Sequence, residues 1–102
     1  MILSELLTLL DELKIDVAYG KFTKKPKLPF ISIMETSPDI YKADDTHYNT
    51  DKHFAINYYF EKKEPLKEEI FESLLLSNGI TFEVSEDIYI EDETMYMKIY
   101  DI

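Results

Sequence analysis

From Asp51 to Phe60 the chain alternates with a period of two. Phe54, Ile56, Tyr58 and Phe60 fall on one face, and Ala55, Asn57 and Tyr59 on the other. Only an extended strand brings residues i and i+2 to the same side, so this stretch commits the chain to a sheet with a buried face. The polar run Glu61–Glu64 ends it, and the period then changes. Pro65 to Ser77 reads as a helix, with Leu66, Ile70, Phe71, Leu74 and Leu75 as its buried stripe. Proline suits the first helical position, whose N–H has no partner in any case. Glu68 and Glu69 favour the positive end of the helix dipole, and Asn78–Gly79 is a stop signal.

The rest of the chain fills in around these two. Ile2 to Leu13 reads as a helix, with Leu3, Leu6, Leu7, Leu10 and Leu13 at three- and four-residue spacing. Ile2 and Leu9 widen that stripe, which implies packing on more than one side. Ile15 to Phe22 is a short extended segment stopped by Gly20, and Lys21–Pro26 is a basic loop. Pro29 to Thr36 is a strand with proline at its start, where no ladder donor is lost. Ile80–Ile90 and Thr94–Ile102 form a hairpin across Glu91–Glu93. One conflict of register remains there. Ile80, Phe82, Val84, Ile88 and Ile90 share a face, but so does Glu86; a bulge or twist near Ser85–Asp87 would turn that carboxylate outward. The expected fold class is α+β, in the order α-β-β-β-α-β-β, with two helices on one face of a mainly antiparallel sheet.

A chain of 102 residues supports one core, so residues 1–102 are read as a single domain. Hydrophobic residues make up 45% of it, which is enough to fill that core. The absence of cysteine removes disulfides and thiolate chemistry. The apolar N-terminus carries Glu5, Asp11 and Glu12 without a basic start, which argues against a signal peptide. No apolar run reaches the roughly 20 residues that span a bilayer, so the expectation is a soluble, intracellular protein. With 21 acidic against 11 basic residues the net charge is −10. Such a surface repels phosphate backbones and anionic membranes, and suits a basic partner or a surface that DNA passes without sticking.

The sequence offers little to an enzyme. His47 and His53 form no metal-ligand pair, and the cluster Asp44, Asp45, His47 lacks the glycine and spaced carboxylates of a calcium loop. There is no Gly-x-Ser-x-Gly turn, and two glycines cannot build a phosphate cradle. No catalytic, cofactor or metal residues are therefore assigned. Tyrosines carry more information. Tyr59 opposes Tyr58, Tyr89 opposes the apolar parity of its strand, and Tyr96 and Tyr100 oppose Met95, Met97 and Ile99. They form either a second layer of packing or a subunit interface, where tyrosine is enriched. Residues 37–49 are polar and aperiodic, with Pro38 as a breaker. They read as a mobile loop or as an arm that orders when a partner buries Ile40, Tyr41 and Tyr48.

Five stretches taken together resemble a known family: D-V-A-Y-G-K-F (Asp16–Phe22), L-P-F-I-S-I (Leu28–Ile33), Y-K-A-D-D-T-H-Y (Tyr41–Tyr48), I-N-Y-Y-F-E-K-K (Ile56–Lys63) and I-Y-I-E-D-E-T-M-Y-M-K-I-Y (Ile88–Tyr100). In order and spacing they are similar to small minor structural proteins of tailed phages and prophages of Gram-positive bacteria. The family often has Pro-Pro-Phe where this chain has Leu28-Pro29-Phe30, and a β-branched residue near Phe60. The resemblance implies a head–tail connector or tail-terminator subunit. It would act in a homo-oligomeric ring against connector and tail-tube proteins, and could stay monomeric when free. It also implies residence in the host cytoplasm during assembly and then in the virion, with no catalytic residue to transfer. A different reading of the acidity is a phage-encoded DNA mimic that inhibits a host DNA-binding enzyme. The lysines beside the acids (Lys52, Lys62, Lys63, Lys67) break up the charge rows such a mimic needs.

Overall fold

In the computed structural model, residues 2–24, 26–36 and 53–102 are described. They form two helices and a six-stranded sheet: α1 (Leu3–Leu10), β1 (Asp16–Tyr19), β2 (Phe30–Thr36), β3 (His53–Phe60), α2 (Pro65–Ser77), β4 (Glu83–Val84), β5 (Ile88–Ile90) and β6 (Met95–Asp101). Single 3₁₀ turns follow α1 and β5. The sheet runs β1-β2-β3-β6, with β4 and β5 both on the outer side of β6. Only β1 and β2 are parallel; every other pair is antiparallel. The chain is α+β in the expected order, with the last hairpin's first strand split in two.

β3 is the keystone strand, and its alternation survives intact. Phe54, Ile56, Tyr58 and Phe60 are buried, while Ala55, Asn57 and Tyr59 are only partly covered. Register extends that parity across the sheet. Ile33 stands opposite Ile56, Ile31 opposite Tyr58, and Tyr100 opposite Ile56 on the far side. Against this face pack Leu6 and Leu10 of α1 and Phe71 and Leu75 of α2, so both helices lie on one side. Each such side chain contributes about 1.5–3 kcal/mol by leaving water. α1 is wider than its fully buried pair, since Leu3, Leu7 and Leu9 also pack on the core; Ile2 is exposed.

The register conflict in the last hairpin resolves as a bulge. Val84 pairs with Tyr100 and Ile88 with Met97, so three residues of one strand oppose two of the other. Ser85 fills the gap: its N–H donates to the Ile99 carbonyl and its Oγ accepts from the Ile99 N–H, both at 2.9 Å. The extra residue reverses the parity. Val84 stays on the helix-bearing face, Glu86 turns out to solvent, and Ile88 and Ile90 move to the second face beside Met97 and Met95.

α2 has its expected bounds and part of its expected stripe: Phe71 and Leu75 are buried and Leu74 is half-buried, but Leu66 and Ile70 are 68% and 56% exposed and Glu68 is buried in their place. The helix is turned toward its acidic side because β6 presents Lys98 and Tyr100 on the helix-bearing face, and these receive carboxylates. Leu75→Ala should therefore cost about 2–5 kcal/mol. Leu66→Ala, at a position expected from sequence to be core, should stay within about 0.5 kcal/mol of the parent. Urea unfolding of the two variants measures both.

Candidate functional site

The most concentrated charge chemistry lies under α2. Lys63 Nζ sits 2.9 Å from each oxygen of Glu68 and 3.0 Å from Asp87 Oδ2, and Lys98 Nζ sits 2.9 Å from Glu68 Oε1. Glu68 Oε2 is paired with the Lys63 ammonium, which also reaches Oε1. One turn along the helix, the Tyr100 hydroxyl donates to Glu72 Oε2 at 2.7 Å. The site has carboxylates, ammoniums and a phenol, tied to one another by these ion pairs and hydrogen bonds. Among the described residues, no group of three or more His, Cys, Asp or Glu is placed to hold a metal. His53 is engaged by the chain end, its Nδ1 lying 3.2 Å from the Ile102 carbonyl.

Exposed apolar and aromatic surface is the remaining candidate; besides Leu66, Ile70 and Leu76 on α2, it lies on both faces of the sheet. On the helix-bearing face, beyond α2, an aromatic ladder runs across β3, β6 and β5. Phe60 stacks on Tyr96 at 5.4 Å, and Tyr96 meets Tyr89 at 5.0 Å. Phe60 is buried, while Tyr96 and Tyr89 are 37% and 50% exposed. The second face carries a small core of its own. Residues 20–29 must return the chain from the end of β1 to the start of the parallel β2. Within this connection Phe22 lies edge-on against Phe30 at 5.4 Å, and Tyr59 stacks on Phe30 at 4.7 Å. Phe22, Pro26, Phe30, Tyr59, Ile90 and Met95 wall a groove of about 300 Å³ with Lys21 and Glu93 at its border. Beyond it, Met34 is largely exposed and Met97, Ile99 and Ile88 are half-buried.

The tyrosines singled out from sequence divide accordingly. Tyr89 and Tyr96 meet in one exposed ladder, and Tyr59 lies on the opposite face. Tyr100 is a correction: it is fully buried, packed on Phe71 and Phe82, and belongs to the core rather than to any interface. Its parity did oppose that of Met95, Met97 and Ile99, but the face it points to is the helix-bearing one. Ile40, Tyr41, Tyr48 and the cluster Asp44, Asp45, His47 lie outside the described residues. Phe22 and Ile90 were missed as groove-lining residues; the bulge that moves Ile90 across the sheet was the available signal. No helix among the described residues is long and apolar enough to cross a membrane. Comparisons with protein-family models, curated proteins and solved structures find no match.

Burial shifts two core phenols in a testable way. Tyr58 is pushed up to about 12, first by desolvation and then by the Glu68 and Glu64 carboxylates. Tyr100 is raised as well, by desolvation and then by its hydrogen bond to Glu72. Lys63 is raised chiefly by its hydrogen bond to Glu68. A raised pKa stabilises the fold fully below the unfolded value, about 10 for tyrosine, and that stability is lost as pH climbs through the folded value. The urea midpoint should therefore fall steeply from about pH 10 toward 12, and Tyr58→Phe should shrink that fall. An unchanged midpoint over this range would contradict the burial of these phenols.

Proposed function

We propose that this chain is a virion assembly protein of a tailed phage or prophage, a head–tail connector or tail-terminator subunit that works by protein–protein contact in a ring. The observation that carries the reading is surplus apolar surface outside a finished core. The layer between helices and sheet is already closed by Leu6, Leu10, Phe71 and Leu75 on β2, β3 and β6. Leu66, Ile70, Met34, Tyr89 and Tyr96 remain exposed beyond it. Aromatic residues and methionine on such surfaces are characteristic of interfaces. The resemblance to minor structural proteins of tailed phages supplies the setting.

Charge supports the same reading. A ring through which DNA passes works best with an acidic or neutral lining, since basic groups would hold the duplex through counterion release. The inhibitor reading draws less support, because several carboxylates are already tied to lysines within the chain: Glu64 to Lys67 at 3.1 Å, Asp87 to Lys63, and Glu68 to two lysines. Sedimentation of the protein alone and with purified connector or tail-tube protein tests the assembly role. A complex with either virion component is the expected outcome. Failure to associate with both, together with a stoichiometric, salt-labile complex with a host DNA-binding enzyme, would replace this reading with the inhibitor one.

A further inference from the structure

The groove on the second face gathers side chains from several parts of the chain. Phe22 comes from the β1–β2 connection, Phe30 and Ser32 from β2, Tyr59 from β3, and Ile90 and Met95 from the last hairpin. Its volume of about 300 Å³ stands at the small end of ligand pockets, which run from roughly 300 to 1,000 Å³. Three of its residues are aromatic, with Phe30 holding Phe22 edge-on and Tyr59 stacked. Two polar groups break this lining. Ser32 is 7% exposed, as deep as Phe30. Its Oγ accepts from Asn57 Nδ2 at 3.5 Å, a long bond, and its own proton has no acceptor among the described residues. A buried hydroxyl usually finds one, because leaving that bond unmade is costly. At the border stands Lys21, which has no ion-pair partner among the described residues. Glu93, also at the border, is already engaged.

We propose that this groove binds a small hydroxyaryl carboxylate. The ring packs against Phe22, Phe30 and Tyr59, the carboxylate meets Lys21 at the border, and the ring oxygen accepts the Ser32 proton. The inference is independent of the assembly role, since it concerns a small ligand and not a protein neighbour.

Each part of that ligand answers one group in the groove. A flat ring extends the edge-to-face and stacked contacts already made around Phe30, and such contacts add to simple burial. The thioether of Met95 also favours an aromatic neighbour. The charge has to stay at the border, because a carboxylate carried inward would lose its hydration without a counter-ion. Lys21 supplies that counter-ion and disfavours a cationic ligand. An aliphatic acid of the same size would fill the space but leave the Ser32 proton unspent. With one exposed ion pair and one hydrogen bond, a ligand this small should bind in the high-micromolar to millimolar range.

The test uses the full chain labelled at its methionine methyl groups. The probes are para-coumarate, cinnamate (which lacks the ring oxygen) and para-coumaramide (which lacks the charge). Met95 lines the groove and Met34 does not, so a shift of the Met95 methyl signal without one at Met34 reports binding at this place. Para-coumarate should saturate the site, with cinnamate about 2- to 10-fold weaker. Ser32→Ala should bring para-coumarate down to the affinity of cinnamate and leave cinnamate unchanged. Lys21→Gln, at an exposed residue, should weaken both acids about 2- to 5-fold and leave the amide unchanged. Circular dichroism checks that both variants fold. The absence of a saturable shift at Met95, or affinities blind to either substitution, overturns the proposal. A Met95 shift produced by raising the protein concentration alone, or by connector or tail-tube protein, with none from the probes, makes the groove a protein contact and overturns it as well.

Discussion

Glu68 sets the orientation of α2, and much of the remaining structure follows from that. A carboxylate buried under a helix is costly unless cations surround it, and here Lys63 from the β3–α2 link and Lys98 from β6 both reach it. Glu72 is drawn to the same side by the Tyr100 hydroxyl. Once these two acids face the sheet, Phe71 and Leu75 become the helix's contribution to the core. Leu66 and Ile70, although large and apolar, are left outside. The ion pairs do more to select this packing than to stabilise it, since a wholly apolar helix face could fill the same space.

That selection decides which surfaces remain for a partner. The helix-bearing face is closed over the centre of the sheet and open at the corner where Tyr96 and Tyr89 lie. On the second face Phe22 lies against Phe30, in the connection that a parallel β1–β2 pair needs. The ionisable groups under α2 are engaged with one another, and the exposed apolar side chains lie outside that layer.

Much of the fold was legible in the chain. The alternation of Phe54, Ile56, Tyr58 and Phe60, Pro65 and Asn78–Gly79 as helix bounds, and the bulge near Ser85–Asp87 rest on local rules that tertiary packing left alone. The buried face of α2 was legible in Phe71 and Leu75 but not in its N-terminal half, where hydrophobicity alone favours Leu66 and Ile70 over Glu68. Only the register that brings Lys98 and Tyr100 under the helix reverses that preference, and register is a tertiary fact. Tyr100 was misassigned for a related reason. Parity showed that it opposes Met97 and Ile99, but could not say which of the two faces the helices cover. Tyr89 and Tyr96 share the helix-bearing face with Tyr100, but lie at the end of the sheet, where 50% and 37% of their surface stays exposed.

A double-mutant cycle at Glu68 and Lys98 tests the role of this ion pair most directly. Glu68→Gln, Lys98→Met and the double variant are unfolded in urea at neutral pH. Removing one partner leaves the other charge buried and poorly compensated, so each single change should be costly, about 3–5 kcal/mol at most. The double variant should be less destabilised than the sum, by a coupling of about 0.5–3 kcal/mol. Additive losses would mean that the two groups do not interact, and that some other contact holds α2 with Glu68 against the sheet.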